Sequence, residues 1–349
     1  MRAFRHVARC FAAAAALAAF THSALAQRQQ LVFVENSHDG TVSIIDAGTL
    51  KVVGSMNVGL SPDEIVASPK GDVLYLARIV RPENGRPAPG GELVAIDPST
   101  RAILYRVPLR GSPNHIALTP DGLRIYVTIV TGNHVAVVDP ARRAVIDSVL
   151  VGTGPHDIEV SRDGQRAYVG LIRGTEVVVF ETATNKVIAR VPFSENVRPL
   201  TLTHDETRLF VQLSHTHAFQ VVNTHNWRTA ETVAMPLPPG VQLPKPMPID
   251  VNHGLRVTLD GKYLIANGSL FDLTAIYSVP DVQLVATIPV GHDPNWITLT
   301  PDGKRAFVSN RQSNDVSVID LASRKEVARI KVGDYPQRMA SVWVVPRAP

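Results

Sequence analysis

Six positions in this chain carry side chains that could hold a small ligand: Glu64, Asn114, Asp157, Asn295, Trp296 and Arg338. Three histidines lie among them, His115, His156 and His253. All nine occupy one or other of two slots just after an anchor, proline in most copies. The first slot holds Asp63, Asn114, His156, Leu200, His253, Asn295 and Gln337. The second holds Glu64, His115, Asp157, Thr201, Gly254, Trp296 and Arg338. Carboxylates and amides accept or donate hydrogen bonds, a guanidinium clamps an anion, and an indole stacks on a planar molecule. Neutral imidazole suits Zn, Cu, Fe or Ni, and Asp or Glu could complete such a site. His115, His156 and His253 are therefore the candidate metal ligands, for a divalent or copper ion. The competing reading is a polar wall satisfied by water and neighbouring backbone. No residue is singled out as catalytic. Gly-x-Ser-x-Gly, P-loop and dinucleotide fingerprints are absent from the sequence.

The elements that must position these residues follow from the spacing. The anchors lie 51, 42, 44, 53, 42 and 42 residues apart, a period of propellers and solenoids. Each anchor opens a short apolar run, then a Pro-Asp-Gly-like turn such as Pro120-Asp121-Gly122, then an aromatic-Val strand such as Tyr126-Val127. Pro pre-sets φ in that turn, and Gly can take φ > 0. A third strand ends near Asp, and a fourth runs into the next anchor. No mature stretch has a helical period. Four antiparallel strands per unit, repeated radially, predict an all-β, seven-bladed β-propeller. The first mature strand, Leu31 to Asn36, matches the second strand of other units, and the last unit has only its first strand. The expectation is that the N-terminal strands pair with the C-terminal strand in one blade, removing two exposed edges.

Tyr126-Val127-Thr128-Ile129, Phe307-Val308-Ser309-Asn310 and Thr41-Val42-Ser43-Ile44-Ile45-Asp46 resemble the YVTN-type β-propeller repeat family. The resemblance covers Leu31 to Pro346. Similar propellers include surface-layer proteins, lactonase-like enzymes and the propeller domains of nitrous-oxide reductase and haem-dependent nitrite reductases. Lactonase-like members place Glu, Asn and Asp around a divalent ion at the channel mouth, where the ion polarises a carbonyl and activates water. Glu64, Asn114 and Asp157 have that chemistry on three consecutive blades. The histidine-rich face resembles that of nitrous-oxide reductase, but the second, cysteine-containing copper domain is missing. So is the cytochrome domain of many nitrite reductases.

Strand order sorts residues by face. The anchors, the loops between second and third strands, and eight of the ten mature histidines map to one face, here the top. His204 and His225 map to the bottom turns. His215-Thr216-His217 is a His-x-His pair in a top loop. Two Pro-rich insertions, Arg78 to Gly91 and Pro236 to Asp250, also lie on top, where binding loops are expected. Seven arginines map there too, Arg81 and Arg86 among them, which would suit an anionic ligand.

The N-terminus reads as a cleaved signal peptide over residues 1–26, followed by one propeller domain over 27–349. Arg2, Arg5 and Arg9 precede an apolar stretch too short to span a bilayer, and Ala24-Leu25-Ala26 fits a cleavage site. Cleavage lowers the net charge from +4 to +1, leaving 32 basic residues against 31 acidic, so the charge gives no reason to expect a nucleic-acid partner. The single cysteine, Cys10, leaves as well, which excludes disulfides and a covalently attached c-type haem in the mature chain. The sequence thus predicts a periplasmic or secreted monomer without a membrane span. Its expected role is to bind a small molecule or a periplasmic protein through the top face and channel mouth, without catalysis. The alternative is a metal-dependent enzyme, lactonase-like or redox-accessory.

Overall fold

A computed structural model describes residues 28–80 and 90–345. The stretch read as a signal peptide, residues 1–26, lies outside the described residues, as does the middle of the first insertion with Arg81 and Arg86. Seven four-stranded antiparallel sheets are arranged in a ring. The described helical structure is one 3-10 turn, Ser269–Phe271. The innermost strands are β4 (Pro62–Ala67), β8 (Pro113–Leu118), β12 (Pro155–Val160), β16 (Val197–Leu202), β20 (His253–Val257), β24 (Pro294–Leu299) and β28 (Pro336–Val344). Each packs against the next, and β28 returns to β4. In one blade β28, the last strand, pairs antiparallel with the first, β1 (Gln29–Asn36).

Burial explains the repeat. Second and third strands are enclosed on both faces, as in the fully buried Ile125–Ile129, whereas outer strands such as Lys51–Asn57 are largely exposed. Seven apolar clusters form the core, each a slab between two adjacent blades. Phe33 and Ile44, for example, meet Ile65, Leu76 and Val94 of the next blade. The hydrophobic core therefore surrounds the axis, leaving the axis free for polar side chains.

The Pro-Asp-Gly turns are locked the same way in successive blades. Thr119 Oγ1 donates to Asp121 Oδ1 (2.5 Å), Asp121 accepts from the Leu123 N–H (2.9 Å), and Arg124 N–H donates back to Thr119 Oγ1 (3.1 Å). Hydroxyl-to-Asp bonds of 2.6 Å recur at Ser161–Asp163, Thr203–Asp205, Thr258–Asp260 and Thr300–Asp302. Gly122 sits at φ +71°, where a side chain is strained.

A second repeated device shapes the axis. Every innermost strand has a register irregularity just after its anchor, between Pro113 and Ile116 and between Pro155 and Ile158, for example. Such bulges re-aim side chains and stop local ladder pairing. In one blade the register differs from the sequence expectation. Val197, not Pro199, occupies the anchor position, pairing with Leu213 as Pro155 pairs with Leu171. The two ring slots there hold Arg198 and Pro199, not Leu200 and Thr201.

Candidate functional site

The bulges leave backbone groups that need partners, and the second strands supply them. Thr128 Oγ1 accepts the His115 N–H (2.9 Å) and donates to the His156 carbonyl of the next blade (2.8 Å). Ser309 Oγ accepts the Trp296 N–H (3.1 Å) and donates to the Gln337 carbonyl. In the closing blade this position holds Glu35, whose Oε1 accepts the Arg338 N–H (3.2 Å). These contacts fix the backbone from which the ring residues project.

His115 is the hub of the ring. Its Nδ1 donates to Glu64 Oε2 (2.8 Å) and Asp157 Oδ1 (3.1 Å), on the two flanking blades. Its Nε2 accepts from Arg338 Nη2 (2.7 Å), so the bonding fits the neutral ring with its proton on Nδ1. All four residues are buried, with His115 1% exposed and Glu64 and Arg338 2%. The Arg338 guanidinium also lies 5.2 Å from the Trp296 ring centroid. His115, His156 and His253 form a run of rings, with centroids 4.5 and 5.8 Å apart, and Trp296 touches the first and last.

Electrostatics divide the three histidines. Burial pushes His156 well below the usual imidazole range, and His115 and Arg338 add to that. Burial and Arg338 do the same to His253. Both rings are neutral at physiological pH. Burial and Arg338 also oppose a second proton on His115, but Asp157 and Glu64 favour it and prevail, raising its pKa. That proton would meet Arg338 at 2.7 Å, so the guanidinium must move to admit it. Burial works against the Asp157 carboxylate, but His115 and the Leu200 N–H (2.8 Å) outweigh it and hold its pKa down.

The ligand candidates separate accordingly. Glu64, Asp157 and Trp296 come together with His115 and line a cavity of about 450 Å³. Arg338 backs this group through His115 and Trp296. Asn295 is fully buried behind it; its Oδ1 faces Arg338 Nη1 at 3.4 Å and its Nδ2 has no partner. Asn114 is drawn away, since its amide donates to Asp63. Glu64, Asn114 and Asp157 therefore do not converge on one point; an imidazole lies between the two carboxylates.

The same geometry bears on the metal candidates. His115 has both nitrogens engaged, and His253 Nδ1 lies 3.1 Å from the Asn295 carbonyl. His156 Nδ1 has no partner. Among the described residues no group of three or more His, Cys, Asp or Glu side chains is arranged to hold a metal ion. A guanidinium at the centre also opposes a cation electrostatically. As arranged, His115 presents no free ring nitrogen, and the three imidazoles do not share one open point.

Nor do the other top-face histidines converge. His217 is buried, with Nδ1 2.7 Å from Asn252 Oδ1 and Nε2 3.0 Å from the Pro236 carbonyl, whereas His215 is exposed. His38 stacks on Tyr335 at 4.1 Å, and His292 pairs with Asp272 at 2.9 Å. The second insertion ends with Asp250 paired to the buried Arg198, and Arg311 forks onto Asp293 at 2.8 and 2.9 Å.

The cavity extends from the Glu64–His115–Asp157–Trp296 tier toward Pro69 and the exposed Leu259, at the Pro-Asp-Gly end. The predicted ring residues thus line its deep end from the side opposite to the expected top mouth. Two further wall residues were not singled out from the sequence: Glu159 and Arg256. Each lies two residues beyond a ring slot, so strand alternation turns it to the axis as well. That period-two step was the signal that could have found them. Burial pushes Glu159 up to about 7, against the opposing pull of Arg256 and the Leu202 N–H.

No protein-family model matches the chain, and no curated protein matches it in sequence. Solved structures do match its fold. The periplasmic gluconolactonase PpgL of Pseudomonas aeruginosa is 20% identical, with 91% of this chain and 100% of that chain covered and a TM-score of 0.73. A putative 6-phosphogluconolactonase from Bacteroides uniformis is 16% identical, over 90% and 99%, with a TM-score of 0.72. Hydrazine synthase of Kuenenia stuttgartiensis is 20% identical, over 80% and 89%, with a TM-score of 0.67. At these identities the likeness is one of fold.

Proposed function

We propose that this chain is an exported propeller that binds a small organic molecule in its central channel. The ligand lies against the tier of Glu64, His115, Asp157 and Trp296. One observation carries this reading: a ring of buried ionisable side chains lines a cavity of ligand size. The cavity walls combine apolar strand residues with a few convergent polar groups, the usual makeup of a small-molecule site. Binding rather than catalysis is favoured because His115 has both nitrogens committed to protein partners. Export rests on the signal-peptide pattern of residues 1–26, and a fold neighbour is named as periplasmic. We read the chain as independent of a metal, because Glu64 and Asp157 are both spent on His115 Nδ1 and the Arg338 guanidinium occupies its other nitrogen.

A fragment screen tests this before any ligand is identified. A library of polar fragments is screened by thermal shift against wild type and Ala117→Phe. Ala117 lines the cavity without touching the charged cluster through a hydrogen bond, so phenylalanine there fills space. Hits should vanish in the filled variant; hits that persist would place binding elsewhere and overturn the reading.

A second reading, lactone hydrolysis, is favoured by the presence of Glu159 in the same cavity and by the lactonases among the fold neighbours. Turnover of glucono-1,5-lactone that is lost in Glu159→Gln would establish it and replace the non-catalytic reading. Turnover equal to buffer would exclude that substrate.

A further inference from the structure

The wall chemistry narrows the ligand class. Arg256 projects into the cavity from β20, half-buried, and has no hydrogen bond or ion pair to a described residue. Its guanidinium lies 5.7 Å from the centroid of the Trp296 ring. Asp157 and Glu159, both on β12, influence it electrostatically but do not touch it. A guanidinium carries five donors in a planar fork that matches a carboxylate. The surrounding walls supply the opposite chemistry. Glu64 and Asp157 are acceptors, as is Glu159 once ionised, so a bare anion would gain one cation but face more than one carboxylate. A ligand carrying both an anionic group and an adjacent donor would satisfy both walls. Farther along the cavity, Leu118, Val160 and Leu259 offer apolar surface.

Building on the channel-binding reading, we infer that the cavity takes a small 2-substituted carboxylic acid. Its carboxylate lies on Arg256, its ammonium or hydroxyl group on the acidic wall, and its apolar tail on Leu118 and Leu259. The two substituents share one chemistry, a donor beside a carboxylate. The experiment separates them.

Four probes with one carbon skeleton are titrated calorimetrically into the mature protein: leucine, 2-hydroxy-4-methylpentanoate, 4-methylpentanoate and 4-methylpentanamide. The expected order places leucine or the hydroxy acid at least tenfold tighter than 4-methylpentanoate, and the amide weakest. Leucine binding best identifies the ammonium; the hydroxy acid binding best identifies the hydroxyl. Arg256→Gln should weaken the best probe at least tenfold with an unchanged unfolding midpoint, and Arg256→Lys should retain part of the affinity. Equal binding of acid and amide, or wild-type affinity in Arg256→Gln, would overturn the inference. So would failure of all three acids while fragments sensitive to Ala117→Phe still bind, an outcome that leaves the channel reading intact. Binding that ignores both Arg256→Gln and Ala117→Phe would sink the two together.

Discussion

At the residue scale, Glu35 best shows how position decides chemistry. It is fully buried, and its Oε2 has no partner. Burial, with Asp63 nearby, raises its pKa well above the usual carboxyl range, which favours its protonated form. In other blades the same position is Thr128 or Ser309, each donating to a carbonyl of the next blade. For Glu35 the corresponding carbonyl is that of Asp63, and a protonated Oε2 can serve it. A group whose folded pKa is raised stabilises the fold fully below its unfolded pKa. That contribution is lost as pH rises through the folded value. Wild type should therefore lose stability as pH climbs above about 4.5, and Glu35→Gln should remove that slope. The variant should match wild type near pH 4 and exceed it by about 1 kcal/mol or more at pH 8, the scale of one buried unpaired polar atom. Urea unfolding across that range checks this, and parallel pH profiles for the two proteins would refute it. Glu35 could not have been read from sequence as part of the site. It lies on a second strand, and only the closing of the ring brings it beside Arg338.

At the element scale, the bulge after each anchor is what turns a repeat into a site. Thr128 satisfies a buried N–H and a buried carbonyl on two blades at once. Thr128→Val keeps the shape but orphans both, so a loss of about 2 kcal/mol is expected, together with weaker ligand binding as His115 and His156 shift. Thr128→Ser should restore most of both. Chemical denaturation and calorimetry on the pair would show it; a fully stable Thr128→Val would mean that the bulge is held by packing alone. Gly122→Ala isolates the turn instead. An added Cβ meets Pro69 only at 3.5 Å, so the cost is the φ of +71°, about 1 kcal/mol. The blade pattern was legible from period and turn chemistry, because every unit must bury the same strands and make the same turns. The ring in the repeat that holds Pro199 was not. Pro199 resembles an anchor proline in sequence, but pairing with Leu213 gives that place to Val197. Arg198 is thereby brought into the ring, where it meets Asp250 from the insertion.

At the scale of the whole molecule, seven apolar slabs between blades hold the ring, while the axis carries charge. This division let the sequence mark Glu64, His115, Asp157 and Trp296 as neighbours, since all four occupy one tier. It could not show which way the cavity would run, because that depends on how fully buried side chains fill the tier. Closure belongs to this scale too. The pairing of β28 with β1 joins the first and last described strands, and β28 also contributes Arg338. Ending the chain at Asp334 should leave an open ring with two unpaired edges. Size-exclusion chromatography should then show aggregates instead of a compact species; a compact truncated protein would contradict that dependence on closure. The proposed small-molecule site in the channel is best put to the test by a crystal structure of residues 27–349 with the tightest-binding fragment. Density is expected between Trp296, His115 and Arg256, in the cavity that opens toward Leu259. Density confined to the rim loops or the outer strands, with that cavity empty, would contradict a channel site.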